Sequence, residues 1–269
     1  MATLDAPAIR DEGLGNGLEN RFPLLQWLGG SDGSDVFLTE LSERGQKAII
    51  KLIPADGQDA EARFAAWGAA AALSHPSLMR VFAFGRRNIE SAAMLYVVTE
   101  LAEEVLADVL AERALSPEEV AELLGPSVDA LAYLHSKGLV HGRLKPSNIM
   151  AAGDCPKLST DGLSFAGATV NPGPDPTVYI APETAAKPIG PEADIWALGV
   201  TVVAALTQRP PAWDSLAPGD AVLPEAMPEP FASIARDCLR ADPASRCTLE
   251  EIKSRLAEPV APPRPVAEP

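Results

Sequence analysis

The chain changes character near residue 100, and this change constrains its fold more than any other feature. Before Glu100 the apolar runs are short, rich in β-branched residues and separated by Gly, Asp and Pro, which is typical of β-strands. Residues 59–73 are the exception, because Ala dominates there and favours a helix. The predicted strands are FPLLQWLG, DVFLTEL, KAIIKLI, MRVFAFG and MLYVVTE.

After Glu100 the pattern is mainly helical. Ser116 to Glu119 form a capping box with Pro at the first helical position, and apolar residues at helical spacing continue to about Ser136. Two short strands are predicted at NIMAA and PKLS, followed by helices over 192–207, 229–239 and 248–257. The sequence therefore predicts an α+β chain whose strand-rich part precedes a larger helical part.

Charge and hydropathy exclude several classes of partner. Lysines and arginines number 22 and aspartates and glutamates 37, so the net charge is −15. Nucleic acids and anionic membranes need a basic face, so neither is expected as a partner. The longest apolar stretch, 195–206, is too short to span a bilayer, and the first twenty residues lack a signal-peptide core. We expect a soluble, cytoplasmic protein.

The spacing of the cysteines and the Pro-rich end of the chain support two further predictions. Cys155, Cys238 and Cys247 are odd in number and widely spaced, which indicates neither a disulfide framework nor a metal cluster. They are expected to be buried or unremarkable thiols in a reducing compartment. The Pro-rich end, 258–269, predicts an extended linker, which suggests a module cut from a longer polypeptide.

Five motifs occur in the order KAIIKLI, HGRLKPSN, KLSTDGLS, YIAPE and DIWALGV. In this order they resemble the protein kinase domain of serine/threonine type. The resemblance covers roughly 20–257, with a small lobe over 20–100 and a large lobe over 103–257, after an N-terminal extension over 1–19. It implies a small antiparallel β-sheet lobe with one helix, a mainly helical lobe, and ATP bound in the cleft between them.

Several residues match positions with known roles in the family. The resemblance implies that Lys51 holds the α- and β-phosphates, Lys145 neutralises the γ-phosphate and Asn148 binds a second magnesium. Lysine and asparagine are also common on polar surfaces, which is the alternative interpretation. The segment that bonds adenine and the first glycine of the phosphate loop are matched by Thr99, Glu100, Ala102 and Gly29.

Other matches concern the fold alone. Glu183 and Arg246 match a pair that forms a buried salt bridge in the family's large lobe. Asp194 and Trp196 match residues at the start of the helix beneath the catalytic loop. These residues are expected to hold the lobe together whether or not it catalyses.

The catalytic loop departs from the family at the base. Active members carry His-Arg-Asp, and the Asp accepts the proton of the substrate hydroxyl. Here the loop reads His141-Gly142-Arg143. A guanidinium has no lone pair and stays protonated, so Arg143 cannot replace the carboxylate. Gly142 stands where the family has the Arg that docks a phosphorylated activation loop.

The metal site and the helix that faces it are also altered. Thr160 stands at the metal-binding Asp and Asp161 at the following Phe. A neutral hydroxyl is a poor magnesium ligand, so magnesium binding is not expected. The Glu that pairs with the strand lysine corresponds to Ala66, and Glu61 lies on another helical face. Lys51 is therefore expected to lack a partner from this helix.

The phosphate loop keeps only Gly29 in register, and Asp32 and Asp35 bring negative charge to it. Asp32-Gly33 between two strand-like runs favours an ordinary β-hairpin. Arg143 then has two interpretations. It binds phosphate together with Lys51 and Lys145 without metal, or Asp161 neutralises Arg143 and Lys51 internally.

These departures predict a catalytically impaired kinase-like domain, a pseudokinase, that acts as a regulatory or protein-binding module. Its partner would be a protein that the sequence does not identify, and ATP would bind, if at all, without magnesium. The alternative is an active ATP-dependent serine/threonine kinase with a rewired site.

Overall fold

The structure is a computed structural model that describes residues 21–257 except 32, 42–44, 58, 90–91, 154, 171–176, 214–220 and 226. The described residues form two units. The first runs to Ser74 and adds Met79–Ala102 and Thr160–Leu163; the second comprises His75–Leu78, Glu103–Ser159 and the residues from Ser164 onward. The predicted N-terminal extension, the Pro-rich tail and Asp32 lie outside the described residues.

The first unit is built on a five-stranded antiparallel sheet in the order β1-β2-β3-β5-β4. One helix, α1 (Ala60–Ala71), joins it. The strands are β1 (Gln26–Ser31), β2 (Ser34–Leu41), β3 (Gln46–Pro54), β4 (Val81–Ile89) and β5 (Ala92–Glu100). The predicted antiparallel β lobe with one helix is confirmed.

Alternation along these strands produces the core of the first unit. In β3, Ala48, Ile50 and Leu52 are fully buried, whereas the residues between them are partly exposed. This period of two is what a sheet with one covered face requires. Phe37 of β2 and Val98 of β5 pack into the same cluster. The burial of this face fixes the register of β3, on which Lys51 lies.

The second unit is mainly helical, with α2 (Leu106–Glu112), α3 (Pro117–Ser136), α4 (Pro191–Thr207), α5 (Phe231–Cys238) and α6 (Leu249–Leu256). Its short strands are β6 (Glu104–Val105), β7 (Leu139–Val140), β8 (Ile149–Ala152), β9 (Cys155–Leu158) and β10 (Ser164–Phe165). Short 3-10 turns lie at Pro146–Asn148, Pro182–Ala185 and Pro243–Ser245. The predicted α+β kinase-like fold is therefore confirmed at the level of its elements.

The predicted capping box begins α3. The hydroxyl of Ser116 accepts from the Glu119 amide at 3.2 Å, and the Glu119 carboxylate accepts from the Ser116 amide at 2.7 Å. Each side chain thus satisfies a backbone donor that the first helical turn leaves unpaired. Helix α3 buries the predicted apolar face, Val120, Leu124, Leu131 and Leu134.

Helix α4 is buried along most of its length, as its apolar sequence predicts. No helix of the described residues is both long and apolar enough to cross a membrane. Two cysteines that the sequence spacing does not bring together are neighbours, because the sulfur of Cys238 lies 3.4 Å from that of Cys247.

Candidate functional site

Lys51 lies in the middle of the sheet of the first unit. It pairs with Val36 of β2 on one side and with Val97 of β5 on the other. Its ammonium group donates a hydrogen bond to the carboxylate of Asp161, with 2.9 Å between Nζ and Oδ2. Both side chains are partly shielded, with 28% and 23% of their surface exposed. The lysine that the resemblance assigns to phosphate binding is therefore in an ion pair.

Helix α1 supplies no carboxylate to this pair. Ala66, at the position of the family's Glu, is buried, and Glu61 bonds the exposed Arg86 at 2.6 Å. The carboxylate that bonds Lys51 is not a residue of this helix. It comes instead from the segment Thr160–Leu163.

Trp67 holds Asp161 in place. The indole of this residue, 1% exposed, donates to the backbone carbonyl of Asp161 at 2.8 Å. The backbone of Asp161 is thus tied to α1 while its carboxylate reaches Lys51 on β3. A buried indole N–H needs an acceptor, so this contact stabilises the arrangement. The sequence indicates no role for Trp67 beyond its position beside Ala66.

Thr160 is buried beside this pair. Its hydroxyl donates to the Met79 carbonyl at 2.8 Å, and the residue is 1% exposed. The hydroxyl proton is therefore engaged with the backbone, and the oxygen carries no charge. Since magnesium prefers charged carboxylate oxygens, Thr160 does not fit the role of a metal ligand.

The positions that the resemblance assigns to adenine lie at the end of β5. Thr99 pairs with Ile49 of β3, and the amide of Glu100 donates to the Arg80 carbonyl at 2.9 Å. Ala102 is the last residue of this stretch of the first unit. Thr99, Glu100 and Ala102 are all partly exposed.

The strands β1 and β2 form the predicted hairpin, in which Ser31 pairs with Ser34. Gly29 has φ of +148° and open space around it. Gly30 is the tighter position, because a Cβ there would lie 2.6 Å from the Ser34 carbonyl oxygen. The carboxylate of Asp35 is buried and accepts from the Trp27 indole at 3.0 Å, so it is not exposed in the turn as the sequence suggests.

In the second unit, Asp194 organises the loop that begins at His141. Asp194 is fully buried in the first turn of α4, and its carboxylate accepts from the amides of His141 at 2.8 Å and Gly142 at 2.7 Å. The ring of His135 lies 2.9 Å from the same carboxylate. The loop takes part in these contacts through its backbone amides, so they do not require a catalytic side chain in the loop.

Gly142 suits this backbone. Its φ is +69°, a left-handed conformation that favours glycine, and a Cβ would come within 3.0 Å of the Ile189 side chain. The residue that would dock a phosphorylated segment in the family is thus replaced by one that supplies only backbone geometry.

Arg143 is exposed on the second unit. Its carbonyl accepts from the Asn148 side-chain amide at 2.6 Å, and its own amide donates to His141 Nδ1 at 3.4 Å. Lys145 is partly exposed and lines a groove of about 320 Å³ with Leu110 and Tyr179. The loop from His141 to Asn148 contains no carboxylate. The only side-chain oxygens in this loop belong to Ser147 and Asn148, and both are neutral.

The described residues contain no cluster of three or more metal-ligating side chains. The Asn148 amide nitrogen is already bonded to a carbonyl, which leaves its side-chain oxygen as the available atom. One neutral oxygen does not provide the carboxylate charge that holds a hard divalent cation. The described residues therefore do not fit magnesium in the family's manner.

Glu183 and Arg246 lie in contact as a bidentate pair, with N–O distances of 2.6 and 2.8 Å. The Arg246 side chain is 1% exposed and also donates to the carbonyls of Glu192 and Arg240. Its guanidinium lies 5.0 Å from the centre of the Trp196 ring. This buried and fully bonded cation joins the turn at Pro182–Ala185 to the C-terminal part of the unit.

The family profile described as "Protein kinase domain" matches residues 22–256. The chain belongs to the protein kinase family. Calcium-dependent protein kinase 24 of Oryza sativa subsp. japonica is 30% identical to this kinase domain over 221 residues, which are 71% of this chain and 41% of the relative. The serine/threonine-protein kinase PAK mbt of Drosophila melanogaster is 30% identical, over 68% of this chain and 29% of the relative.

A bacterial relative is similar at the same level. Serine/threonine-protein kinase PknB of Mycobacterium tuberculosis is 28% identical over 209 residues, covering 72% of this chain and 33% of that protein. The kinase domain thus spans less than half the length of these curated relatives. Its fold and its relationship to serine/threonine kinases are established.

Proposed function

We propose that this protein kinase domain is catalytically impaired and acts as a regulatory or protein-binding module. The observation that carries the proposal is the ion pair between Lys51 and Asp161 at 2.9 Å. Phosphoryl transfer depends on positioning and on charges aimed at the phosphates. Active members pair this lysine with a helix glutamate, a position that Ala66 occupies here. The lysine instead bonds Asp161, which directly follows the altered metal position Thr160.

The proton acceptor and the metal ligand are missing as well. Arg143 is a permanent cation and cannot take a proton from a hydroxyl. Thr160 is neutral, buried and bonded to the Met79 carbonyl. Each loss removes a separate contribution to stabilising the transition state. Restoring one of the two residues therefore does not compensate for the other. The proposal therefore does not depend on any single substitution.

A role in binding a protein partner explains why the kinase fold is retained. Asp194 and the pair Glu183–Arg246 preserve the scaffold through buried contacts that no substrate needs to touch. Such a scaffold presents a stable surface to a protein partner even when transfer is lost. This separation of scaffold from chemistry is what a regulatory module requires.

We propose further that ATP, where it binds, does so without divalent metal. Relative to the family pattern, Asp to Arg at 143 changes the charge by +2 and Asp to Thr at 160 by +1, a total of +3. Extra positive charge favours phosphate and disfavours a divalent cation. Arg143 is exposed and Lys145 partly exposed, so both side chains reach solvent.

Thermal unfolding with ATP tests the binding part of the proposal. A ligand that binds the folded state raises the melting temperature by mass action. The ATP-induced rise should be equal in magnesium and in EDTA. Arg143→Ala should reduce that rise without lowering the melting temperature of the free protein, whereas Arg209→Ala, at another exposed arginine, should change neither.

An ATP-induced shift that appears only with magnesium would contradict binding without metal. An increase in intact mass of about 80 Da per site after incubation with ATP would contradict impaired catalysis, because it marks an added phosphoryl group. The two outcomes are independent, so each part of the proposal stands or falls separately.

An active kinase is the second candidate function, and one observation favours it. Lys51, Lys145 and Asn148 are retained in a folded kinase domain. A rewired enzyme would need a new carboxylate in its site, and Asp161 of the first unit is a candidate because it bonds Lys51. Loss of activity in Asp161→Asn would identify such an enzyme.

A further inference from the structure

The second unit contains a buried pair of thiols that the proposed function does not use. Cys238 ends α5, and Cys247 follows the 3-10 turn Pro243–Ser245 just before α6. Their sulfur atoms lie 3.4 Å apart. Cys238 is fully buried, whereas Cys247 keeps 7% of its surface exposed.

Backbone packing fixes one thiol more firmly than the other. A Cβ built on Gly199 of α4 would lie 2.6 Å from the Cβ of Cys238, so the two helices are in close contact at this point. Cys247 lies on a non-helical connection, and its amide makes a long bond of 3.3 Å to the Asp237 carbonyl. A disulfide has an S–S distance of about 2.0 Å, so closure requires the sulfurs to approach by about 1.4 Å. Cys247 is the residue placed to make that movement.

Arg255 adds a positive charge to the surroundings of the two thiols. Its Nη2 bonds the Asp237 carboxylate at 2.8 Å, while its Nη1 is buried and makes no hydrogen bond to any described residue. The hydrogen bond with Cys238, helped by the charge of Arg255, holds the pKa of the Cys247 thiol below its ordinary value. The same hydrogen bond and complete burial raise the pKa of Cys238. The lower of the two thiol pKa values therefore belongs to Cys247, the less deeply buried residue.

We propose that Cys247 and Cys238 form an oxidative modification site for small hydroperoxides, with Cys247 as the attacking sulfur and Cys238 as the resolving thiol. The inference rests on the distance between the sulfurs, their unequal exposure and the unpartnered guanidinium nitrogen of Arg255. It goes beyond the proposed function and does not depend on it, because none of these residues belongs to the phosphate or adenine positions.

The reaction proceeds in two steps. The Cys247 thiolate attacks one oxygen of the hydroperoxide, the O–O bond breaks, and an alcohol (or water from hydrogen peroxide) leaves after gaining a proton. The product at Cys247 is a sulfenic acid. The sulfur of Cys238 then attacks the sulfur of Cys247, the S–O bond breaks, and hydroxide leaves as water with the proton of Cys238. Two thiols have lost two electrons, and the hydroperoxide has gained them.

Hydrogen peroxide acting on the Cys155→Ser protein tests the proposal, because this variant removes the exposed third cysteine. We expect an intact-mass decrease of about 2 Da that dithiothreitol reverses, from loss of the two thiol hydrogens. Peptide mapping without reductant should join the peptides that contain residues 238 and 247. Failure to form this disulfide in the folded protein, under conditions that oxidise Cys155 in the unmodified chain, would overturn the proposal.

Single variants in the same background separate the two roles. Cys238→Ser should stop at the sulfenic acid of Cys247, seen as an increase of about 16 Da and captured by a dimedone probe. Cys247→Ser should leave Cys238 unmodified, since its thiol is buried and protonated. Oxidation of Cys238 in that variant as fast as oxidation of Cys247 in Cys238→Ser would contradict the assigned roles.

Arg255 is tested as a positioning residue by the rate of oxidation. Arg255→Met should slow disulfide formation several-fold, and Arg255→Lys should retain most of the rate because it keeps the charge. Melting temperatures of the variants distinguish a rate effect from loss of the fold. Equal rates of disulfide formation in Arg255→Met and Arg255→Lys would show that the charge of Arg255 has no role in the reaction.

Discussion

The ammonium group of Lys51 lies 2.9 Å from the carboxylate of Asp161, a residue 110 positions further along the chain. Asp161 stands one position after Thr160, so the carboxylate that the family places at Thr160 is replaced by one that bonds the strand lysine. The backbone of Asp161 is fixed by Trp67, and the hydroxyl of Thr160 is fixed by Met79. The lysine that would bind phosphate and the residue that would bind the metal thus both differ from the family pattern.

Asp161→Asn should strengthen ATP binding, because Lys51 would lose the carboxylate that neutralises it. For a partly exposed pair we expect a gain of up to about 1 kcal/mol, or roughly fivefold in affinity, together with a similar loss of folding stability. Isothermal titration calorimetry without magnesium measures the first and thermal unfolding the second. Asp56→Asn, at an exposed carboxylate of the same unit, is the control for net charge. Equal affinities for the two variants would show that Asp161 does not restrain Lys51.

Arg143→Asp alone should not produce a kinase. The variant regains a proton acceptor but still lacks a charged metal ligand at Thr160 and a helix carboxylate at Ala66. Transfer of labelled phosphate from ATP to the protein should remain at the level of the unmodified domain. Measurable transfer by this single variant would show that the other losses do not limit catalysis.

Glu183→Ala should destabilise the second unit strongly. It leaves the Arg246 guanidinium, 1% exposed, without its carboxylate, and a broken buried pair costs about 3–5 kcal/mol. Glu61→Ala removes the same group from the exposed pair with Arg86 and should cost far less, because solvent screens that pair. Denaturant unfolding gives both values. Similar losses for the two variants would contradict the role of Arg246 as a buried anchor.

The capping contact of α3 should depend on pH. The bond from Arg113 and the bond from the Ser116 amide lower the pKa of Glu119 from 4.5 to about 2. A depressed pKa contributes stability that is present above pH 4.5 and is lost as the pH falls toward about 2. The melting difference between the unmodified protein and Glu119→Gln should therefore shrink over that range. A difference independent of pH would contradict this contact; Glu118→Gln, in the same turn, is the control.

Elements with strong local signals could be predicted from the sequence. The capping box specifies the start of α3 because Ser116 and Glu119 satisfy each other's backbone groups within one turn. The sheet of the first unit follows from the burial alternation of β3 and its neighbours. Helix α2 and strands β6, β7 and β10 are not predictable from the sequence, because two to seven residues are too few to show a period.

The candidate site could be predicted in its residues but only partly in its contacts. Motif order identified Lys51, Thr160 and Asp161, and counting identified Ala66. The anchoring of Asp161 by Trp67 has no sequence signal, since it joins residues 94 positions apart through one indole nitrogen. The neighbouring sulfurs of Cys238 and Cys247 were missed for a similar reason: their contact depends on how a turn returns the chain to α5.

Phosphate transfer is the most direct measurement of the central claim. The unmodified domain and Lys51→Met should be incubated with γ-labelled ATP, a basic acceptor protein and either magnesium or manganese, beside an active kinase. Lys47→Met, at an exposed lysine of the same strand, serves as the matched control. Impaired catalysis predicts label at the background level in all three proteins, with strong label from the active kinase. Incorporation by the unmodified domain and by Lys47→Met that disappears in Lys51→Met would contradict the claim.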